Sequence, residues 1–352
     1  MRARERRGDH QRSEVRSAPA RVIHAVGLPR PNLGVRGGVG LGYTPPVAGG
    51  APAMELRRTK AMGDHGSLID ALASVSEAEL LDAIVALARP RHMFRQRAEN
   101  RRAARYVAAA LEERGYAVEI EGELGNVVAT PRAAVDRPMI LVGAHYDSVP
   151  DTPGADDNAS GIAAMLACAR ALSRFEPALP VGFVAWNGEE DGLLGSVEFV
   201  ARHRSQGGAP IAAVHVLEMV GYASHEPGSQ RMPVPVPGAP DVGDFIGLLT
   251  NHRSNHLVEL AAKQAEALVP ELPVVGLKVY LGLEEWLPVL HRSDHAPFWK
   301  AKIPAMLWTD TAEFRNPNYH RPTDTPETLD YGFMRRVTQL VLATVTRQVR
   351  TG

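Results

Sequence analysis

The sequence predicts an α/β protein with a three-layer α/β/α architecture and a mixed, mostly parallel central sheet. Three observations carry the prediction. From about residue 66 onward, apolar runs of strand length alternate with runs of helix length that carry apolar residues at helical spacing. Several strand runs are continuously apolar, as expected of strands buried on both faces. Clusters of polar, turn-forming residues follow directly after them.

The elements follow in order. "SLIDALASVSEAELLDAIVALA" and "AENRRAARYVAAALEERG" are helical in period, and Gly115 stops the second. "YAVEIEG" and "NVVAT" read as short strands, "RPMILVGA" as a buried strand and "ASGIAAMLACARALSRF" as a helix. "LPVGFVAW", "IAAVHVLEMVG" and "IPAMLWT" are further strands, while "GLLGSVEFVARHR", "SNHLVELAAKQAEALV" and the closing "YGFMRRVTQLVLATVTRQVR" are helices. Between Gly221 and Asp244 the chain is too rich in Pro and Gly for either element and is expected to be a long surface loop. The tract Leu277 to Arg292 mixes apolar and aromatic residues, and reads either as strand and turn or as a wall beside a binding site.

Residues 1–66 stand apart. An arginine-rich leader runs into a tract of Gly, Pro and Ala that cannot bury enough to offset its ordering entropy, so disorder is expected; Met54 and Met62 also leave room for a natural start downstream. Its "GGVGLG" lacks the GK[ST] of a phosphate loop and reads as linker. Residues 67–352 are expected to form a single domain. Lys+Arg number 39 against 40 Asp+Glu, so no global charge argues for nucleic acid or an anionic membrane as partner. No apolar run approaches the roughly 18 residues of a membrane span, and the N-terminus lacks the apolar core of a secretory signal. The single cysteine, Cys168, cannot form an internal disulfide and its apolar helical neighbours suggest a buried thiol. A cytoplasmic location is the expectation.

Ligands of open α/β sheets bind outside the carboxyl ends of the strands, and the polar clusters fall there. His145 and Asp147 follow "MILVGA", and Asp156 and Asp157 lie in the turn before the next helix. Glu189 and Glu190 follow "VGFVAWNG", Glu218 ends "AAVHVL", Ser293, Asp294 and His295 precede "APFW", and His320 lies in "NYHRPTDT". Acids gathered in this way repel one another unless cations neutralise them. Histidine with carboxylate is a suitable zinc ligand set, and a pair of metals bridged by a carboxylate is a known hydrolytic arrangement. The chain holds no HExxH, CxxC or GxSxG motif to compete.

The segments "GAHYDS", "GADDNASG", "WNGEEDGLLGS", "LEMVGY", "SDHAPF" and "YHRPTDT" resemble, in order and context, the di-zinc aminopeptidases of metallopeptidase family 28. The resemblance runs from about Ser67 to the C-terminus and implies an exopeptidase with two zinc ions and a peptide or small amide as substrate. It implies His145, Asp157 and Glu218 as ligands of one zinc, and Asp157, Glu190 and His320 as ligands of the other, with Asp157 bridging. It implies Glu189 as general base and Asp147 as the carboxylate orienting His145. Asp324 is either a similar partner of His320 or a turn cap. The resemblance implies His295 and Asp294 near the substrate, and Trp186, Trp286 and Tyr319 either line the pocket, Tyr319 as a candidate substrate contact, or pack structurally. His215 reads as a core residue, and His252, His256 and His291 as surface residues.

One departure stands out: the family's usual Asp is Glu218 here, which related carboxypeptidases share, so a carboxypeptidase or amidohydrolase on the same scaffold is the alternative. A glutaminyl cyclase fits less well, because that branch dispenses with part of the two-metal set. A non-catalytic binding protein has no need of the base at Glu189.

Overall fold

The computed structural model describes residues 21–25, 68–132, 137–175, 179–207, 209–232 and 238–351. Its strands are β1 (Arg21–Ala25), β2 (Tyr116–Glu121), β3 (Asn126–Pro131), β4 (Met139–His145), β5 (Val181–Trp186), β6 (Ile211–Glu218), β7 (Ile246–Thr250), β8 (Val274–Val279) and β9 (Ala305–Thr309). They form one sheet in the order β1-β8-β7-β9-β6-β4-β5-β3-β2. The β1–β8, β7–β8, β6–β9, β4–β6 and β4–β5 pairs are parallel, whereas β7–β9, β3–β5 and β2–β3 are antiparallel. The expected mixed, mostly parallel sheet is therefore present.

Seven helices concern the site: α1 (Glu77–Leu87), α2 (Arg97–Glu113), α3 (Gly161–Leu172), α4 (Leu194–Gln206), α5 (Asn255–Leu268), α6 (His295–Lys300) and α7 (Tyr331–Thr351). The period-2 alternation of the central strands sorts them into two layers. Ile140, Val142, Phe183, Ala185 and Leu217 face a core shared with α1, α2, α3, α5 and α7. Leu141, Val184, Trp186, Val214 and Val216 face a smaller core built on Phe199 of α4 and Phe298 and Trp299 of α6.

Helix α3 lies at the centre of the larger layer and is buried on every side except at Arg170. Its run of small residues permits that close approach. Cys168 sits within it, and burial pushes the thiol up to about 12, so it behaves as a small apolar residue. Helix α2 ends where expected, with Gly115 at φ +88.

Four local features differ from the sequence reading or add to it. The first helical run is two segments: residues 68–73 are helical, and α1 restarts at Ser76, whose hydroxyl accepts the Glu79 N–H at 3.2 Å. β7 was not expected as a strand, and β8 takes in the start of the Leu277–Arg292 tract, for which strand and turn was one of the two readings; both pair within the sheet. The segment after Ser293 forms the short α6. In the leader, Arg21–Ala25 is ordered as an edge strand, with Arg21 opposite Val275 and Ala25 opposite Val279; its Val-Ile pair is lost in a composition averaged over the whole leader. "GGVGLG", Met54 and Met62 lie outside the described residues. The described residues of the Gly221–Asp244 loop contain no helix or strand, as expected. Among the described residues no helix is long and apolar enough to cross a membrane.

Gly161 opens α3 where the helix meets β6. A Cβ there would lie 2.4 Å from Asn158 Oδ1 and 2.6 Å from the Leu217 carbonyl oxygen. Gly161→Ala is expected to destabilise the fold by roughly 1–3 kcal/mol, as overpacking against backbone does. Thermal unfolding would register this as a midpoint several degrees lower; an unchanged midpoint would show that the turn can yield.

Candidate metal centre

β4 and β6 are parallel neighbours, so their carboxyl ends bring His145 and Glu218 side by side, with His145 Nε2 3.3 Å from Glu218 Oε1. β5 flanks β4 on its other side and delivers Glu189 and Glu190 to the same edge. Asp157 arrives from the turn before α3, and His320 from the loop beyond β9.

The carboxylate of Asp157 has one oxygen for each imidazole. Its Oδ1 lies 3.3 Å from His145 Nε2 and its Oδ2 3.1 Å from His320 Nε2. Glu190 Oε2 is 3.3 Å from His320 Nε2. Donor atoms of His145, Glu189 and Glu218 lie within 4.8 Å of one another, as do those of Asp157, Glu190 and His320. The five expected ligands and the expected base thus converge, in two groups that meet at Asp157.

These separations test the fit of a metal. Charge-assisted hydrogen bonds are shorter, about 2.7–2.9 Å, whereas two ligand atoms each about 2.1 Å from a tetrahedral zinc stand about 3.3–3.4 Å apart. The donors, imidazole nitrogen and carboxylate oxygen, are those zinc takes. His145 and Glu218 with one oxygen of Asp157 would hold one ion, and His320 and Glu190 with the other oxygen would hold the second.

Local folding explains why Asp157 can be held so. The turn Ala155–Ser160 begins after Gly154 at φ +60, and Asp157 and Asn158 leave helical dihedrals inside it. Its backbone groups need partners from elsewhere. Asp324 accepts the N–H groups of Asp156 (2.9 Å) and Asp157 (3.1 Å), so it fixes this turn and does not orient His320. Asn158 donates to the Leu217 carbonyl and accepts the Met219 N–H, bonding the residues on either side of Glu218. Ser160 accepts from Val220 and Asp156 from Gly221, which fastens the turn along the end of β6.

Asp147 Oδ1 lies 3.4 Å from His145 Nδ1, turning Nε2 toward the acids as expected. Asp147 also accepts the N–H groups of Glu189 (3.2 Å) and Glu190 (3.3 Å), which positions the expected base and the expected ligand together. Two further residues matter: Ser293, which the sequence placed in the cluster but gave no role, and Val149, which no motif pointed to. Ser293 donates to Glu218 Oε2 at 2.7 Å, leaving Oε1 for the site, and Val149 N–H donates to Glu190 Oε1 at 3.1 Å, leaving Oε2.

The electrostatics follow from crowding. Burial raises Glu189 well above the usual carboxylate range and the Glu218 and Asp294 charges add to this, against the opposing charge of His145. Burial and then Asp157 bring Glu190 to about 7. Burial alone would depress both imidazoles, but Glu218 and Glu189 hold His145 well above its ordinary value, and Asp157 and Glu190 lift His320 to about 10. Asp157 is also penalised by burial, yet its contacts with His145 and His320 hold it below the carboxylate range.

Beside the acids opens a cavity of about 220 Å³ whose walls include Phe245, Leu248, Val289, Leu290, Leu307 and Phe314. Tyr319 and His295 line it. Tyr319 stacks on His320 at 3.7 Å between ring centroids and accepts a hydrogen bond from Arg292. His295 is less available than expected: its Nε2 is bonded to the Leu290 carbonyl and burial pulls it down to about 4. Asp294 is not among the lining residues; it is buried beneath them, and burial brings it to about 7. Neither tryptophan lines the cavity, because Trp186 packs between Phe199 and Phe298 and Trp286 is 82% exposed. His215 is a core residue bonded to Gln348 and Trp308.

Zinc requires deprotonated ligands, while His320 at about 10 and Glu190 at about 7 retain protons near neutrality. Raised values mean that protons compete most strongly at low pH. Apparent zinc affinity should therefore rise with pH between about 6 and 8, with protons released on binding; titration calorimetry in two buffers of different ionisation enthalpy measures both. An affinity flat over that range would contradict this ligand assignment.

Over residues 126–345 the chain matches Peptidase family M28. It is 38% identical over 233 residues to the uncharacterized protein YfbL of Escherichia coli K12, covering 63% of this chain and 70% of that one. To aminopeptidase YwaD of Bacillus subtilis 168 it is 32% identical over 216 residues, 60% of this chain but only 41% of the relative. Among solved structures, the LapA aminopeptidase of Legionella pneumophila aligns with a TM-score of 0.64 at 18% identity, covering 85% of this chain and 78% of that one; this likeness is one of fold, which glutaminyl cyclases share. The family match spans more than half of the sequence, and the chain belongs to Peptidase family M28, a family of peptide-bond hydrolases.

Proposed function

We propose that this protein is an aminopeptidase that removes N-terminal residues from peptides, with two zinc ions and Glu189 as general base. The observation carrying the reading is the Asp157 carboxylate set between the Nε2 atoms of His145 and His320. Bound there, zinc would polarise the scissile carbonyl and acidify the attacking water.

The chain's own residues do the rest. Glu189 borders the cavity and clusters with His145 and Glu218 without being needed to complete either ligand set. Its backbone is fixed by Asp147, and its raised pKa suits a group that takes a proton from water and passes it to the leaving amine. Burial keeps the Tyr319 phenol protonated; with its oxygen accepting from Arg292, its own proton is available for the carbonyl oxygen as charge develops there. The apolar cavity suits a large apolar side chain next to the cleaved bond.

Glu218 does not exclude the aminopeptidase reading, since the longer carboxylate reaches His145 with Oε1 while Ser293 holds Oε2. YwaD, an aminopeptidase by name, supports the amino-end preference. A carboxypeptidase is the second reading. Arg292 on the cavity wall favours it, because a guanidinium pairs well with a substrate carboxylate. Its pairing with Glu313 counts against it.

Glu189→Gln should lower kcat by about 10²–10⁴-fold while zinc content stays at two per chain; plasma mass spectrometry and steady-state kinetics on one preparation decide this, and a variant with most of its turnover would remove the base. In a substrate panel, leucine and phenylalanine anilides with free amines should be cleaved faster than aspartate or lysine anilides. N-blocked peptides should be inert, and their cleavage from the carboxyl end would favour the second reading.

A further inference from the structure

The segment joining α1 to α2 contributes no ligand, yet it is bonded to the stretches that carry His145, Asp147, Asp157, Glu189 and Glu190. Arg91 is 1% exposed. Its Nε donates to the Tyr146 carbonyl at 2.7 Å, its Nη2 to Gly154 at 2.9 Å, and its Nη1 to Pro153, Leu87 and Arg89. Its backbone N–H donates to Ser148 Oγ at 3.1 Å. Tyr146 directly follows the ligand His145, and Gly154 opens the turn that presents Asp157.

The residues around Arg91 extend the brace. His92 Nε2 lies 3.1 Å from Asp191 Oδ2. Asn100 donates to the Arg91 carbonyl at 2.9 Å and exchanges two hydrogen bonds with Asn187. Asn187 and Asp191 bracket Glu189 and Glu190.

We propose that Arg91 is a positioning residue for the metal centre: its guanidinium sets the separation of the His145 and Asp157 segments, and with it the affinity for the ion those two residues share. The inference rests on the metal-dependent reading of the site. The planar guanidinium is what the role needs, because it carries five N–H donors in a rigid fork and can bond carbonyls on both loops at once. An ammonium group keeps the charge but presents only three donors on a flexible stem. Carbonyls left without a donor in this buried place would move to find one.

The test compares the wild-type chain with Arg91→Lys and with Arg170→Met as control. Arg170, near the far end of α3 from Asp157, also ties helices together, through Glu79 and the Ser74 carbonyl. Zinc stoichiometry and affinity are measured by competition with a chelator, thermal midpoints in excess EDTA, and kcat and KM separately. Arg91→Lys is expected to lose about 10- to 100-fold in zinc affinity, the usual effect of removing a partner that orients ligands, with kcat falling more than KM changes. Arg170→Met should keep its zinc affinity whatever its midpoint. Wild-type zinc affinity in Arg91→Lys would overturn the proposal, as would an equal loss in Arg170→Met. Should Arg91→Lys fail to fold, Ser148→Ala, which removes the acceptor of the Arg91 N–H together with the Ser148 bonds to the Val149 and Thr152 carbonyls, is compared with Thr152→Val, which leaves that acceptor in place: a several-fold weaker zinc affinity in Ser148→Ala alone supports the role, and an unchanged affinity or an equal loss in both overturns it. A wild-type chain that binds no zinc would instead overturn the metal reading, and the role of Arg91 with it.

Discussion

The carboxylate of Asp157 facing two imidazoles is the arrangement around which the site is organised, and it is hard to sustain. Its turn abandons helical dihedrals at Asp157 and Asn158, so the backbone loses regular partners where the geometry must be most exact. The fold answers with side chains from distant parts of the sequence. Asp324 caps the turn, Asn158 and Ser160 tie it to the end of β6, and Arg91 holds the loop between β4 and the turn. A carboxylate presented on a loop thereby gains the rigidity of the sheet.

Around it, Asp147, Glu189, Glu190, Glu218 and Asp294 are crowded at one sheet edge. Such crowding costs free energy unless protons or cations offset it. Without metal the imidazoles and several acids hold on to protons, and the raised values of Glu189, Glu190, His145 and His320 are the sign of it. Deeper in, Asp156 and Asp310 form a second buried acid pair: burial first, and then Asp310, raise Asp156 well above the carboxylate range, while burial brings Asp310 to about 6 against the opposing Arg315 charge. Asp156 accepts from Asn316 and Asp310 from Tyr222 and Ala312, so this pair ties the loop that leads to His320 back to the Asp157 turn.

Much of this was legible in the sequence, because strands buried on both faces are continuous apolar runs and ligand chemistry needs particular residue types at their ends. The central strands β4, β5, β6 and β9 and the cluster of acids and histidines at their ends were read that way, whereas the choice of five candidate ligands among them came from the resemblance. The unread parts share a physical reason. β7 follows a Pro- and Gly-rich loop whose composition masks it, and β8 runs into the mixed apolar and aromatic tract from Leu277, whose pattern left strand and binding wall both open. α6 has only six residues, with Pro297 among them, too few for a periodicity to show. Arg91 and Asp324 act through backbone carbonyls and N–H groups of other segments, and no spacing in the sequence encodes such contacts. Asp294 and His295 follow Ser293 in one motif, yet the backbone turns so that only Ser293 and His295 reach the cavity wall.

The order of strands in the sheet has a consequence for how the molecule assembles. His145 and Glu218 meet only after β6 has crossed over to lie against β4, and His320 joins after β9 has slotted in beside β6. Each closure spans a long stretch of chain, as in the 73 residues between His145 and Glu218, and loop closure must be complete before such contacts reward it. The metal centre is thus among the last features the folding chain can acquire. A nascent or partly unfolded chain would hold scattered acids and imidazoles with no shared geometry, so hydrolytic competence is coupled to completion of the sheet.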